Sequence, residues 1–98
     1  MIILHVTYTA KPGEDIAHRF VEELEQGPAL KVRAEKGNIC YDYFFSSSSP
    51  DKILLVEKWQ DEAALALHME TPQMQEIRSL KEKYIQNSVL EKFIVQPM

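Results

Sequence analysis

Three strand-like segments of this chain are apolar on both faces, and that constrains its fold more than any other feature. Successive side chains of a strand point to opposite sides. Ile2 and Leu4 therefore oppose Ile3, Ile53 and Leu55 oppose Leu54 and Val56, and Leu90 and Ile94 oppose Val89, Phe93 and Val95. A sheet with one solvated face alternates apolar and polar residues instead. Both faces of this sheet want burial, and the helices available to a 98-residue chain cover only one. The expectation is a homodimer in which the helix-free sheet faces pack together. Burying roughly a few hundred Å² at about 25 cal/mol per Å² is worth several kcal/mol. The plainer alternative is that these runs are simply rich in β-forming residues.

The segments between the runs set the topology. Residues 2–9 are β-branched and aromatic, and Lys11-Pro-Gly13 breaks that strand. From Glu14, Ile16, Phe20 and Leu24 recur at helical spacing with Ala17 and Val21 beside them. Gly27-Pro28 interrupts this helix, and a second piece, Ala29 to Lys36, ends at the C-cap candidate Gly37. Ile39 to Ser46 reads as an aromatic strand, followed by a serine-rich turn and the strand of Ile53 to Val56. Asp61 offers an N-cap to an alanine- and leucine-rich helix bearing His68 and Met69. Thr71-Pro72 stops that helix and can start another, with Thr71 as cap and Pro72 in the first helical position. Met74, Ile77, Leu80, Lys81 and Tyr84 form its stripe, and Ser88 to Gln96 reads as a last strand closed by Pro97. The order βαββαβ predicts one α+β domain over residues 1–98, a ferredoxin-like antiparallel sheet. Right-handed crossovers place the first and third strands centrally.

Composition excludes several classes of function. A net charge of −4, with Lys and Arg scattered singly, argues against nucleic acid as a partner. No apolar run approaches the roughly 20 residues of a membrane span. The single cysteine, Cys40, fits a reducing compartment, and Met1-Ile-Ile-Leu-His-Val lacks a signal-peptide pattern, so the expected location is the cytoplasm. His5, His18 and His68 have no metal-ligand spacing, so no metal is expected, and Gly13, Gly27 and Gly37 are too isolated for a phosphate-binding loop, which leaves no cofactor motif. Cys40, on an aromatic strand, reads as buried and inert.

His68 is the candidate catalytic residue. It follows Leu65 by three positions and Ala64 by four, on the apolar side of its helix, and an imidazole there can exchange protons near neutral pH. A core histidine satisfied by a neighbouring carbonyl accounts for the same pattern, and the residues alone leave both readings open. Trp59 and Tyr41 are candidate walls of an aromatic pocket, and Met69 and Met74 candidate adaptable apolar walls. His5 is either a pocket residue or a residue of the dimer face.

Three stretches carry a resemblance. Glu35-Lys-Gly-Asn-Ile-Cys-Tyr-Asp42, Leu55-Val-Glu-Lys-Trp-Gln-Asp-Glu-Ala-Ala-Leu65 and His68-Met-Glu-Thr-Pro72 resemble the antibiotic biosynthesis monooxygenase superfamily. Within it, the chain looks most like the small quinol monooxygenases and autoinducer-2 degradation proteins. The resemblance implies a dimeric α/β barrel whose C-terminal strands help join the two sheets. It implies oxidation of a small phenolic, quinol or polyketide-like compound by molecular oxygen, without metal or flavin. His68, in the His-x-x-Thr-Pro motif, and Trp59, in Glu-x-Trp, are the residues it carries over. Autoinducer-processing relatives share the motif but isomerise, so an isomerase or lyase is the alternative, beside a non-catalytic dimeric ligand-binding domain. Haem-degrading members resemble the chain less, because Gln75-Glu-Ile-Arg78 lacks their histidine and residues 2–9 lack their asparagine.

Overall fold

The computed structural model describes residues 1–96. Its elements are β1 (Ile2–Ala10), α1 (Ile16–Glu25), α2 (Pro28–Arg33), β2 (Asn38–Phe45), β3 (Lys52–Trp59), α3 (Glu62–Met69), α4 (Pro72–Tyr84) and β4 (Ile85–Ile94). The four strands form one antiparallel sheet in the order β2-β3-β1-β4. The two purest apolar runs thus occupy the centre, as the ferredoxin-like reading predicts. No helix among the described residues is long and apolar enough to cross a membrane.

Burial alternates strictly along both central strands. Ile2, Leu4, Val6 and Tyr8 of β1 and Ile53, Leu55, Glu57 and Trp59 of β3 are buried beneath the helices. Phe20 and Leu24 of α1, Val32 of α2 and Ile77 of α4 complete this core. The α1 stripe works as its spacing predicts, because residues four apart stand one above the other on the face turned to the sheet.

The other parity faces away from the helices. Cross-strand partners share a face, so the pairs Ile3↔Phe93, Thr7↔Val89, Val56↔Asp42 and Leu54↔Phe44 lie together there. Val89, Phe93 and Phe44 are exposed. His5 belongs to this face, its ring edge-on to Phe93 at 5.3 Å. Cys40 is also here and is partly exposed rather than buried, because β2 is an edge strand. Its Sγ lies 3.4 Å from Asp42 Oδ2.

Two local expectations need correction. Thr71 does not cap α4 with its side chain; its hydroxyl donates to the His68 carbonyl at 2.8 Å and so closes α3. Pro72 does stand in the first turn of α4. The last strand begins at Ile85, not Ser88, directly from α4. Ala10 pairs with Ile85, and the Lys11 amide donates to the Tyr84 carbonyl at 2.8 Å. This pairing draws the polar Gln86-Asn87 into the sheet. Pro97 lies outside the described residues.

Candidate active site

The site is built on α3. Asp61, with extended backbone, accepts the Ala64 amide at 2.8 Å, satisfying a donor that the helix start would otherwise leave bare. Gly37 brings the α2–β2 turn against this helix. Its φ of +89° is a left-handed conformation, and a Cβ there would come within 2.5 Å of the Ala64 Cβ. Its carbonyl accepts the Gln60 amide at 2.8 Å. At the far end, Thr71 holds the His68 carbonyl. These contacts present His68, the one buried residue of α3, to the sheet.

Both edges of the His68 ring meet carboxylates. Nδ1 lies 3.0 and 3.2 Å from the two oxygens of Glu35, a residue of the turn after α2. The Gln73 amide donates to the same carboxylate at 3.0 Å. A carboxylate only accepts, so Nδ1 carries a proton, and in the tautomer with that single ring proton Nε2 is an acceptor. Nε2 is 4.0 Å from Glu57 Oε1, which accepts the Trp59 indole N–H at 3.1 Å. The Trp59 ring stands 4.6 Å from the imidazole, centroid to centroid.

Beside this group is a cavity of about 110 Å³. Leu4, Val6 and Ile77 form its apolar floor, Met69 and Met74 a flexible wall, and Leu90 of β4 its outer edge. Its polar lining is Tyr8, Tyr41, Glu57, His68 and Lys81. Burial pushes the Glu57 carboxyl above the ordinary range, against the pull of the Trp59 N–H and the His68 ring. Burial likewise raises the hydroxyls of Tyr8 and Tyr41, so both remain protonated donors. The Lys81 ammonium is lowered, first by burial and then by Arg78, with Glu57 opposing. One small space is therefore lined by an imidazole, a carboxyl biased toward its neutral form, two phenols and a cation.

The structure brings His68, Tyr41, Met69 and Met74 together around this cavity. Trp59 is fully buried, with its ring against the His68 imidazole, and does not line the open space. His5 is not a member, since the sheet separates it from His68. Asn38 donates to the Cys40 carbonyl and Arg78 to that of Met69. Sequence reasoning left out Glu35, Glu57, Tyr8 and Lys81 as site residues. Three of them carried a signal: Tyr8 and Glu57 fall on the buried parity of their strands, and Lys81 follows Ile77 by four on the apolar stripe of its helix. Glu35, in a turn 33 positions from His68, carried no signal of periodicity or spacing, although it opens one of the stretches that resemble the family.

Known proteins share this framework. A Bacillus subtilis protein described as "Putative monooxygenase YcnE" is 36% identical over 75 residues, covering 76% of each chain. The crystal structure of PA3566 from Pseudomonas aeruginosa is 26% identical, with a TM-score of 0.81 over 98% of this chain and 94% of that one. A structure from Deinococcus radiodurans, described as a "putative antibiotic biosynthesis monooxygenase", reaches a TM-score of 0.84 over 100% and 95% at 22% identity, a likeness of fold. The antibiotic biosynthesis monooxygenase family model matches residues 1–80, the stretch from β1 into α4 that carries both Glu35 and His68, and the chain belongs to that family.

Proposed function

We propose that this protein is a monooxygenase that oxidises a small, one-ring phenol or quinol with molecular oxygen, using no bound metal or flavin. The observation that carries this reading is the placement of His68. Its Nδ1 is held by Glu35, its Nε2 lies 4.0 Å from Glu57 Oε1, and His68 and Glu57 line one small cavity. In the proposed reaction Nε2 takes the phenolic proton, and Glu35 stabilises the imidazolium that results. The ionised ring supplies the electrons to oxygen. One oxygen atom enters the ring, the other leaves as water, and a phenol becomes a quinone. Tyr8 and Tyr41 donate toward the developing oxyanion, and the apolar floor keeps bulk water out. Size limits the substrate: a dry cavity of about 150 Å³ accommodates benzene. A space of about 110 Å³ suits one ring or less, not a multi-ring polyketide.

The Glu57 carboxyl, 4.0 Å from His68 Nε2 and biased toward its neutral form, also favours a second reading. A base and an acid across one small space suit an isomerase or lyase moving a proton on an oxygenated metabolite. Labelled dioxygen separates the two. The monooxygenase places one labelled atom in the quinone and consumes oxygen with metal-free protein. The isomerase exchanges solvent deuterium into its substrate with no oxygen uptake. Neither activity over a panel of hydroquinones and hydroxyketones leaves a ligand-binding domain.

We also propose that a second copy of the chain covers the helix-free sheet face. Four strands of eight to ten residues present about 500 Å² in projection at standard strand spacings. That approaches the roughly 800 Å² of accessible surface per partner in an ordinary stable interface. Light scattering at micromolar concentration should give twice the chain mass, and Phe93→Lys should halve it. A monomer for the unmodified protein sinks the proposal.

A further inference from the structure

The ion pairs of the described residues engage Lys31, Arg33, Lys83 and Lys92 with carboxylates, and Lys81 is not among them. Yet Lys81 is only partly exposed and lines the same cavity as His68. It stands one helical turn beyond the buried Ile77, and its ammonium lies over the Tyr8 ring, 5.5 Å from the centroid. A cation withdrawn from water without a counter-charge is unfavourable unless something supplies one. The charged and titratable groups that line the cavity or act on Lys81 are Tyr8 on β1, Tyr41 on β2, Glu57 on β3, His68 on α3 and Arg78 on its own helix. Glu82 lies beside Lys81 along an open groove on the outer side. Glu57 is the one nearby anion that acts on it, and burial drives that carboxyl toward neutrality. Arg78 adds positive potential.

We infer that Lys81 is the charge partner of the ligand, and that the cavity takes a one-ring molecule bearing a single anionic oxygen seated against this ammonium. The inference deepens the proposed function and rests on the reading of this cavity as the substrate site. It makes Lys81 the specificity-determining residue: His68 Nε2 accepts the proton, and Lys81 favours the anion left behind. A phenolate and a ring carboxylate share this chemistry, and they can be told apart.

The experiment measures binding without turnover, in the absence of oxygen, by fluorine NMR with three one-ring probes: 4-fluorophenol, 4-fluorobenzoate and 4-fluorotoluene. A phenolate site binds 4-fluorophenol with the chemical shift of its anion at a pH where the free probe is neutral. A carboxylate site favours 4-fluorobenzoate instead. In either case Lys81→Met weakens the preferred anion at least tenfold, Lys81→Arg restores most of that loss, and 4-fluorotoluene binds both proteins equally. The inference is overturned if Lys81→Met leaves the anions unaffected, if 4-fluorotoluene binds as tightly as either anion, or if no probe binds. Lys81-dependent anion binding by a protein that consumes no oxygen keeps the inference and removes the monooxygenase reading, so the two fail separately.

Discussion

Glu35 Oε2 lies 3.0 Å from His68 Nδ1, although 33 positions separate the two residues. The bond joins the turn after α2 to the last turn of α3. It fixes the orientation of a buried ring whose other nitrogen lies 4.0 Å from Glu57 Oε1, a residue that lines the same cavity. The buried His68 ring is thus satisfied by a carboxylate from a distant turn rather than by a neighbouring carbonyl.

If His68 is the general base, His68→Ala should lower oxygen-dependent turnover by about 10²–10⁴, the usual contribution of such a group. Glu35→Gln keeps a hydrogen-bonding partner but removes the charge that stabilises the imidazolium. It should lower kcat and leave KM nearly unchanged. A loss confined to KM would assign Glu35 to ligand binding instead. Glu35→Ala leaves His68 Nδ1 and the Gln73 amide without a partner, which should cost about 1–3 kcal/mol in urea unfolding.

Glu57 should make stability depend on pH in an unusual sense. Burial raises its folded-state pKa above the unfolded value. The native chain therefore holds this proton more tightly than the unfolded chain, and stability falls as pH rises from the ordinary carboxylate range through the raised pKa. Glu57→Gln mimics the neutral form and preserves an acceptor for the Trp59 N–H. Its melting temperature should exceed that of the unmodified protein at neutral pH, and the gap should close as pH drops below the ordinary carboxylate range. A gap that widens on acidification contradicts the assignment.

Gly37 should tolerate no side chain. Gly37→Ala meets both a φ of +89° and the Ala64 Cβ at 2.5 Å, so it should destabilise the fold by more than about 1 kcal/mol. Adding Ala64→Gly relieves the collision but not the backbone strain, and should recover part of that loss. Full recovery would show that only the collision mattered. Because the contact seats α3, Gly37→Ala should lower turnover as well.

Ile77 of α4 is fully buried and forms part of the cavity floor. Ile77→Ala should cost about 2–5 kcal/mol, by lost burial plus the space left behind. The enlarged cavity should also admit bulkier phenols, seen as a lower KM for substituted ring substrates relative to the unsubstituted one.

Periodicity and punctuation alone determined much of this molecule. Strand parity marked Ile2, Leu4, Ile53 and Leu55 as one face and Ile3, Leu54 and Val56 as the other. The βαββαβ order placed the apolar runs at the sheet centre, and Asp61 announced the start of α3. These are local signals, because alternation, helical spacing and capping act over a few residues. The family motifs also pointed to His68 before any geometry was known. What tertiary structure decided is what depends on contacts between distant segments. Register put His5 across the sheet from His68, pairing with β1 drew β4 back to Ile85, and Thr71 turned to the carbonyl behind it. Glu35 could not be found from its surroundings, since a carboxylate in a polar turn resembles any solvated residue until α3 is laid against it. Tertiary burial likewise changed the chemistry of Glu57 and Lys81, whose place on a buried face is local but whose desolvation depends on the elements packed over them.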